Sequence, residues 1–500
     1  MNLLEAPWIP VRDEDGSGCF RLLTYRELLC QRGKWRVSLP RDDLELACIQ
    51  LLICMTQVMF QPEDDDELEE WHDAPLNEKD FDAGVASYLD WFDLNHPMYP
   101  FMQARGVSAK EVTPIQKLLI GLPEGNNHCF FNEVGEVGRL SGPAAAIALF
   151  HQASNCPSFG GGFKGGLRGG APITTLVDGP GLREQVWRNV LTRGRIEKDL
   201  PWTRDLLDNQ PTWVDPIKAG EVVYPHQVGL FRGLFWQPTR VELIEDTDGG
   251  ACDILGIDAG RFYRGLRKEK FNFRFDGTWP HPHGALQVSV KKGKREAKFA
   301  SFTTSAPAWT RLAEMVVRRS PETGEGNRPA LAIGQAQALY FVPLRLLIGG
   351  YRNKQASVLE RRHELIELGE GWDEEEGRLE DLVKIGLAAK KALRGKLYFA
   401  AQGHKDKGLQ GIGAAIHELG ERRFYARTEE RILATFSDSG TFSDWQRRLD
   451  GYVAALAREC EAIFNELTEP YAMKPELIPI IAWARRSLTA DLKKLKEGKR

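Results

Sequence analysis

Seven glycines crowd the segment Ser158-Phe159-Gly160-Gly161-Gly162-Phe163-Lys164-Gly165-Gly166-Leu167-Arg168-Gly169-Gly170. Such density permits positive φ and lets bare backbone approach a ligand closely. Lys164 and Arg168 are the right types to meet phosphates at such a loop. Gly160, Gly162 and Gly165 also match GxGxxG, but that fingerprint follows a strand and opens a helix, and the preceding Pro143–Ser154 reads as helical. The segment therefore reads as a backbone-contact loop for nucleic acid or as a plain surface loop, with a nucleotide-binding enzyme as the alternative from another class.

A second candidate is Gly349-Gly350-Tyr351-Arg352-Asn353-Lys354-Gln355-Ala356-Ser357, which follows the apolar run Leu344–Ile348. It joins a permissive GG hinge to side chains suited to base edges and phosphates, Asn353 among them. Its plain reading is a polar turn ahead of a helix over Val358–Leu368. His281 and His283, separated by Pro282, could bind a metal, but flanking prolines and the lack of a nearby cysteine favour a packed turn. His363 and Glu364 do not continue into HExxH, and no nucleophile recurs with a histidine in a motif that performs catalysis. The basic stretch Lys291–Lys298 reads as a solvated hairpin tip.

These segments need elements to hold them. Five hundred residues, 42% of them hydrophobic and 27% charged, describe an ordered globular protein of two or three domains. The formal charge of −4 argues against a chain that grips nucleic acid over its whole surface, so such a role must rest on local patches or on partner subunits. Eight scattered cysteines without a CxxC pair exclude a disulfide framework and a zinc cluster. The N-terminus has no signal-peptide order, and Leu44–Phe60 is too short and polar to span a bilayer, so a cytoplasmic protein with no membrane contact is expected.

Residues 1–370 mix short helices, short strands and Pro/Gly turns. Helices are expected over Leu22–Cys30, Arg41–Phe60, Lys79–Asp93, Pro143–Ala153 and Leu182–Arg193, and strands over Ile173–Val177 and Val241–Ile244. A hairpin is expected from Leu286–Val290 and Ala297–Phe302 around the turn Lys291–Arg295. Residues 371–500 carry four amphipathic stripes, such as Leu379, Leu382, Ile385, Ala389, Leu393 and Leu397. The fold class is thus α+β, a large irregular mixed N-terminal domain followed by an all-α C-terminal four-helix bundle.

Blocks along the chain carry a resemblance. They are Asn2-Leu3-Leu4 with Trp8-Ile9-Pro10-Val11-Arg12, Ser38-Leu39-Pro40-Arg41-Asp42-Asp43, Phe159–Lys164, Gly233-Leu234-Phe235-Trp236-Gln237-Pro238, Trp279–His283, Phe302–Pro307 and Gly349–His363. With these the sequence resembles, nearly end to end, the large-subunit (CasA) family of type I-E CRISPR Cascade surveillance complexes.

The resemblance implies a non-catalytic, DNA-binding subunit with no cofactor and no metal. It implies recognition, largely through the minor groove, of the PAM, a short motif beside the target in duplex DNA. Groove reading of this kind accepts several related motifs, while guide pairing reads the target itself. The family's glycine loop falls on Gly160 and Gly161, its lysine finger on Lys270, and its wedge on Gln355, with Lys354 beside it for phosphate. The loop that meets the guide (crRNA) 5′ end and the PAM falls on Phe130, Phe131 and Asn132. The implied partners are the other Cascade subunits, crRNA, target duplex and the helicase–nuclease that follows R-loop formation. A purely architectural subunit is the remaining alternative.

Overall fold

In the computed structural model, the apolar run after Asp42 and Asp43 forms helix α1, Asp42–Met59, with the two aspartates at its positive end. Fifteen of its 18 residues are buried, so α1 runs through the core rather than over the surface. The Ala-rich helix α2, Gly142–Ser154, starts with Pro143 in its first turn and packs on α1. The structure describes residues 1–122, 135–291, 293–319, 325–339, 341, 343–354, 357–375 and 377–498.

Three of the small sheets supply the strands that position the site. Strand β1, Thr174–Val177, is buried throughout. Strands β2, Arg240–Asp246, and β3, Phe262–Glu269, pair antiparallel from Phe262↔Asp246 to Glu269↔Arg240, with a bulge between Tyr263 and Gly265. That register leaves Lys270 just beyond the end of β3. Strands β4, Leu286–Lys291, and β5, Lys294–Phe299, form the expected hairpin, but they pair out to Lys291↔Lys294. Gly293 at φ +74° permits this connection, tighter than the five-residue turn the sequence suggested.

Strand β6, Leu344–Lys354, lies between β1 and strand β7, Ser357–Leu368, with Gly349 opposite Thr174. This overturns the helix expected over Val358–Leu368. Arg362 forms ion pairs with Glu360 (2.9 Å) and Glu364 (3.8 Å), so residues two apart share a face, which is strand periodicity. The GG pair is not a hinge either. A Cβ on Gly349 would lie 2.4 Å from the Leu46 side chain, and one on Gly350 would lie 2.8 Å from the Pro172 carbonyl. Glycine here lets β6 press against its neighbours.

Other boundaries shift locally. Helix formation over Leu22–Cys30 waits until Tyr25, behind a Thr24–Glu27 capping box. The Lys79–Asp93 stretch changes to 3₁₀ geometry at Ala86, and Leu182–Trp187 ends well before a separate helix begins at Arg193.

The C-terminal helices are α3 (Arg378–Gln402), α4 (Ile416–Ser437), α5 (Trp445–Thr468) and α6 (Ile478–Lys496). Their stripes bury as the sequence spacing requires: Leu379, Leu382, Ile385, Ala389, Leu393 and Leu397 on α3 all face inward. On α6 the buried phase is Ile480, Ala484, Leu488 and Leu492, which leaves Ile481 half-buried. The mixed α/β region followed by a helical bundle is the expected fold class.

By contact, the chain separates into two compact units. One comprises Met1–Ser305, Arg318–Tyr340 and Leu346–Leu365, and the other comprises Ala306–Val317, Phe341–Arg345 and Ile366–Arg500. Among the described residues, no helix is long and apolar enough to cross a membrane.

Candidate nucleic-acid interface

The glycine-rich segment leaves α2 and folds as a turn. Gly160, Gly161 and Gly162 sit at φ +79°, +55° and +91°, a left-handed run that L side chains disfavour. The Phe163 amide closes the turn by donating to the Gly160 carbonyl at 3.0 Å. The Phe159 and Phe163 rings meet edge to face at 5.7 Å, and Phe159 also packs on the main core. The apex is exposed, while its base is anchored. No helix begins within the described residues 155–173, so GxGxxG has no helix N-terminus to offer a pyrophosphate.

Lys270 reaches this turn from the end of β3. Its Nζ donates to the Gly161 carbonyl at 2.8 Å and stands 3.6 Å from where a Cβ on Gly162 would lie. Lys268, two residues back on the same strand, places its ammonium 5.7 Å from the Phe159 ring centroid and donates to Thr113 Oγ1 at 2.6 Å. Two cations, one on β3 and one just past its end, therefore frame the exposed glycine turn. The structure thus brings together three of the residues expected at the site: Gly160, Gly161 and Lys270.

Arg168 differs from its expected role. It is buried, and its guanidinium donates to the Ser154 carbonyl (3.0 Å), Asn155 Oδ1 (2.5 Å) and Thr174 Oγ1 (3.0 Å). It fastens the loop's base and cannot reach a phosphate. Burial draws its pKa down to about 10, which still leaves it a cation at neutral pH.

Lys354 is exposed at the end of β6, next to Asn353, and Arg352 is held by Glu360 at 2.8 Å. Gln355, Phe130, Phe131 and Asn132 lie outside the described residues.

Behind β6 lies a cluster the sequence reading missed. Tyr351 donates its hydroxyl proton to Asp43 Oδ2 at 2.7 Å, and His151 Nε2 lies 2.6 Å from the same hydroxyl. Arg41 grips Asp43 through two bonds of 3.0 and 2.6 Å. Burial alone would raise the Asp43 carboxyl, but the Arg41 hydrogen bonds and charge, with Tyr351, hold it below the usual carboxylate range. Burial lowers His151 to about 4, so its imidazole is neutral. The available signal was a histidine and a glutamine, His151-Gln152, on an otherwise apolar helix.

His281 and His283 form a packed turn, with the His283 amide donating to His281 Nδ1 at 3.1 Å and both rings buried. Among the described residues, no three His, Cys, Asp or Glu side chains come together to hold a metal ion.

The family model for CRISPR-associated protein Cse1 matches residues 2–462. The chain belongs to the Cse1 family. The CasA resemblance read from the residues is therefore correct, since a Thermus thermophilus relative bears the name CRISPR-associated protein CasA/Cse1. It is 26% identical over 263 residues, a match spanning 50% of this chain and 50% of the relative. The solved structure of Thermus thermophilus CasA (Cse1) superposes with a TM-score of 0.74 at 18% identity, covering 99% of each chain. A chain of a CRISPR RNA-guided surveillance complex matches with a TM-score of 0.65 at 16% identity, covering 98% of this chain and 99% of that one. These solved structures share the Cse1 fold along their whole length.

Proposed function

We propose that this Cse1-family chain is the non-catalytic large subunit of a crRNA-guided Cascade complex. It recognises the PAM as duplex DNA through the minor groove, starts R-loop formation and helps recruit the helicase–nuclease. The reading is supported by family membership and by the shared fold of a chain within a CRISPR RNA-guided surveillance complex.

One observation carries it: the Lys270 ammonium rests on the exposed left-handed glycine turn at Gly161. A minor groove about 6 Å wide admits bare backbone more readily than branched side chains. An ammonium carries three donors, of which Lys270 gives one to Gly161, leaving others for purine N3, pyrimidine O2 or phosphate acceptors. Such a contact separates A·T from G·C pairs but not A·T from T·A, so several related PAMs are accepted.

Gln355 acts as the wedge beneath the PAM, with Lys354 and Asn353 on the adjoining backbone and base edges. Phe130, Phe131 and Asn132 meet the 5′ end of the guide. Net charge of −4 suits a subunit whose partners supply most of the backbone electrostatics. The protein acts in the cytoplasm and needs no cofactor.

The test is a gel-shift series over PAM variants with the assembled, guide-loaded complex at fixed salt. Graded affinity that follows the PAM is expected. Equal affinity for PAM and non-PAM duplexes removes the reading and leaves the architectural subunit.

A further inference from the structure

The buried cluster behind β6 extends well beyond Tyr351 and Asp43. Because the Tyr351 hydroxyl gives its proton to Asp43, it accepts from His151 Nε2–H. His151 Nδ1 is then free to accept from Asn155 Nδ2 at 3.3 Å. The same Asn155 amide donates to Gln50 Oε1 at 2.9 Å, and Gln50 Nε2 lies 3.2 Å from His283 Nδ1. Asn155 Oδ1 accepts from Arg168 at 2.5 Å and from Thr174 Oγ1 at 2.8 Å. One arrangement of protons satisfies every link, and Asp43, His151, Asn155, Arg168, Thr174 and Tyr351 are all at most 5% exposed.

The ends of this network are specific. Tyr351 lies on β6 three residues before Lys354, and Arg168 lies inside the glycine-rich segment. Arg41 donates to the carbonyl of Ile120 at 2.8 Å, on the stretch that leads toward Phe130. Three segments far apart in sequence thus share one buried anchor. Arg168 Nε makes no hydrogen bond, but the links named here favour a single geometry, because displacing a member strands a buried polar group without its partner.

We infer that the Asp43–Tyr351–His151–Asn155–Thr174 network is a positioning device that holds the glycine turn and the Lys354 end of β6 at a fixed spacing. The inference rests on the function proposed above. Recognition at the turn and strand separation at the wedge then occur in register along one duplex. These are positioning residues, since none of them is exposed to a ligand.

Guide-loaded complex carrying Tyr351→Phe, and separately Thr174→Val, tests this from both ends of the network with small changes in shape. R-loop formation is followed on a PAM duplex and on the same target with its first base pairs mismatched open. Both variants should slow opening of the closed duplex by about fivefold to tenfold while matching wild type on the pre-opened target. A purely structural role lowers both rates together along with the melting temperature, and that result overturns the inference, as does wild-type behaviour on both targets. If Tyr351→Phe fails to fold, Thr174→Val decides by the same ratio. The wild-type arms, run with and without the PAM, report on the underlying reading: absence of PAM discrimination there sinks that reading, and the inference falls with it. Intact discrimination with unaffected variants sinks the positioning role alone.

Discussion

The Lys270 ammonium and the Gly161 carbonyl oxygen are 2.8 Å apart although 109 positions separate the two residues in sequence. The bond joins the end of one strand to the apex of a turn that three successive positive-φ glycines create. Removing the lysine should therefore affect ligand contact more than folding, because its side chain is exposed.

For Lys270→Ala, we expect PAM-dependent binding to fall by about tenfold, near the lower end for a charge-assisted hydrogen bond. Stability should stay within ~0.5 kcal/mol of wild type, as for an exposed substitution. Arginine at this position should rescue only in part, since a planar guanidinium cannot rest on the turn as a compact ammonium does. Titration of the assembled complex with PAM duplex, alongside a thermal melt, checks both points.

For Gln355→Ala, folding should be intact and target unwinding slow, because the proposed wedge replaces stacking at the first separated step, a cost of a few kcal/mol. Linear target DNA is the right substrate, since negative supercoiling would supply the missing work. Unchanged R-loop rates on linear DNA would remove the wedge role.

Helices and strands were legible in the sequence to different degrees, for physical reasons. The α3 stripe from Leu379 to Leu397 is a local pattern, and burial follows directly from its spacing. Ser357–Leu368 misled because Val358, Leu365 and Ile366 stand seven and eight positions apart, a helical spacing. The alternation Glu360, Arg362, Glu364 was the signal for a strand. The glycine turn was visible from composition, but Lys270 entered only through family resemblance. Tyr351 and Asp43, 308 positions apart, could not be paired at all, since a single sequence carries no record of which distant residues meet.

Glycine packing in β6 gives a stability prediction. An alanine Cβ at Gly350 meets the Pro172 carbonyl at 2.8 Å, a backbone atom that cannot turn aside, at a φ of +155°. Gly350→Ala should cost about 1–3 kcal/mol, the usual range for overpacking. Gly170→Ala serves as the comparison, with nothing within 4 Å of its Cβ and no positive φ, and should stay within ~0.5 kcal/mol of wild type. Chemical denaturation of both variants distinguishes tight packing from a hinge, which would tolerate alanine equally at either position.

The buried histidines make stability depend on pH with a definite sign. Burial lowers His151 to about 4 and His283 to about 3, and it holds His281 well below the ordinary range. An unfolded imidazole takes up its proton near pH ~6.5, whereas these three refuse it until far more acidic conditions. Between those limits the unfolded chain binds more protons than the fold, so stability falls as pH falls. Each histidine adds a slope approaching ~1.4 kcal/mol per pH unit below pH ~6. Asp43, held low by Arg41 and Tyr351, adds little to this slope above pH ~5, because its share is lost progressively below that, as the unfolded carboxyl takes up its proton. Thermal melts between pH 7.5 and 4.5 should show steady loss across the acidic half and a plateau above neutrality. His151→Gln should flatten the slope by one proton's worth, and a melting temperature constant from pH 7 to 5 in wild type would show that these imidazoles are not buried neutral.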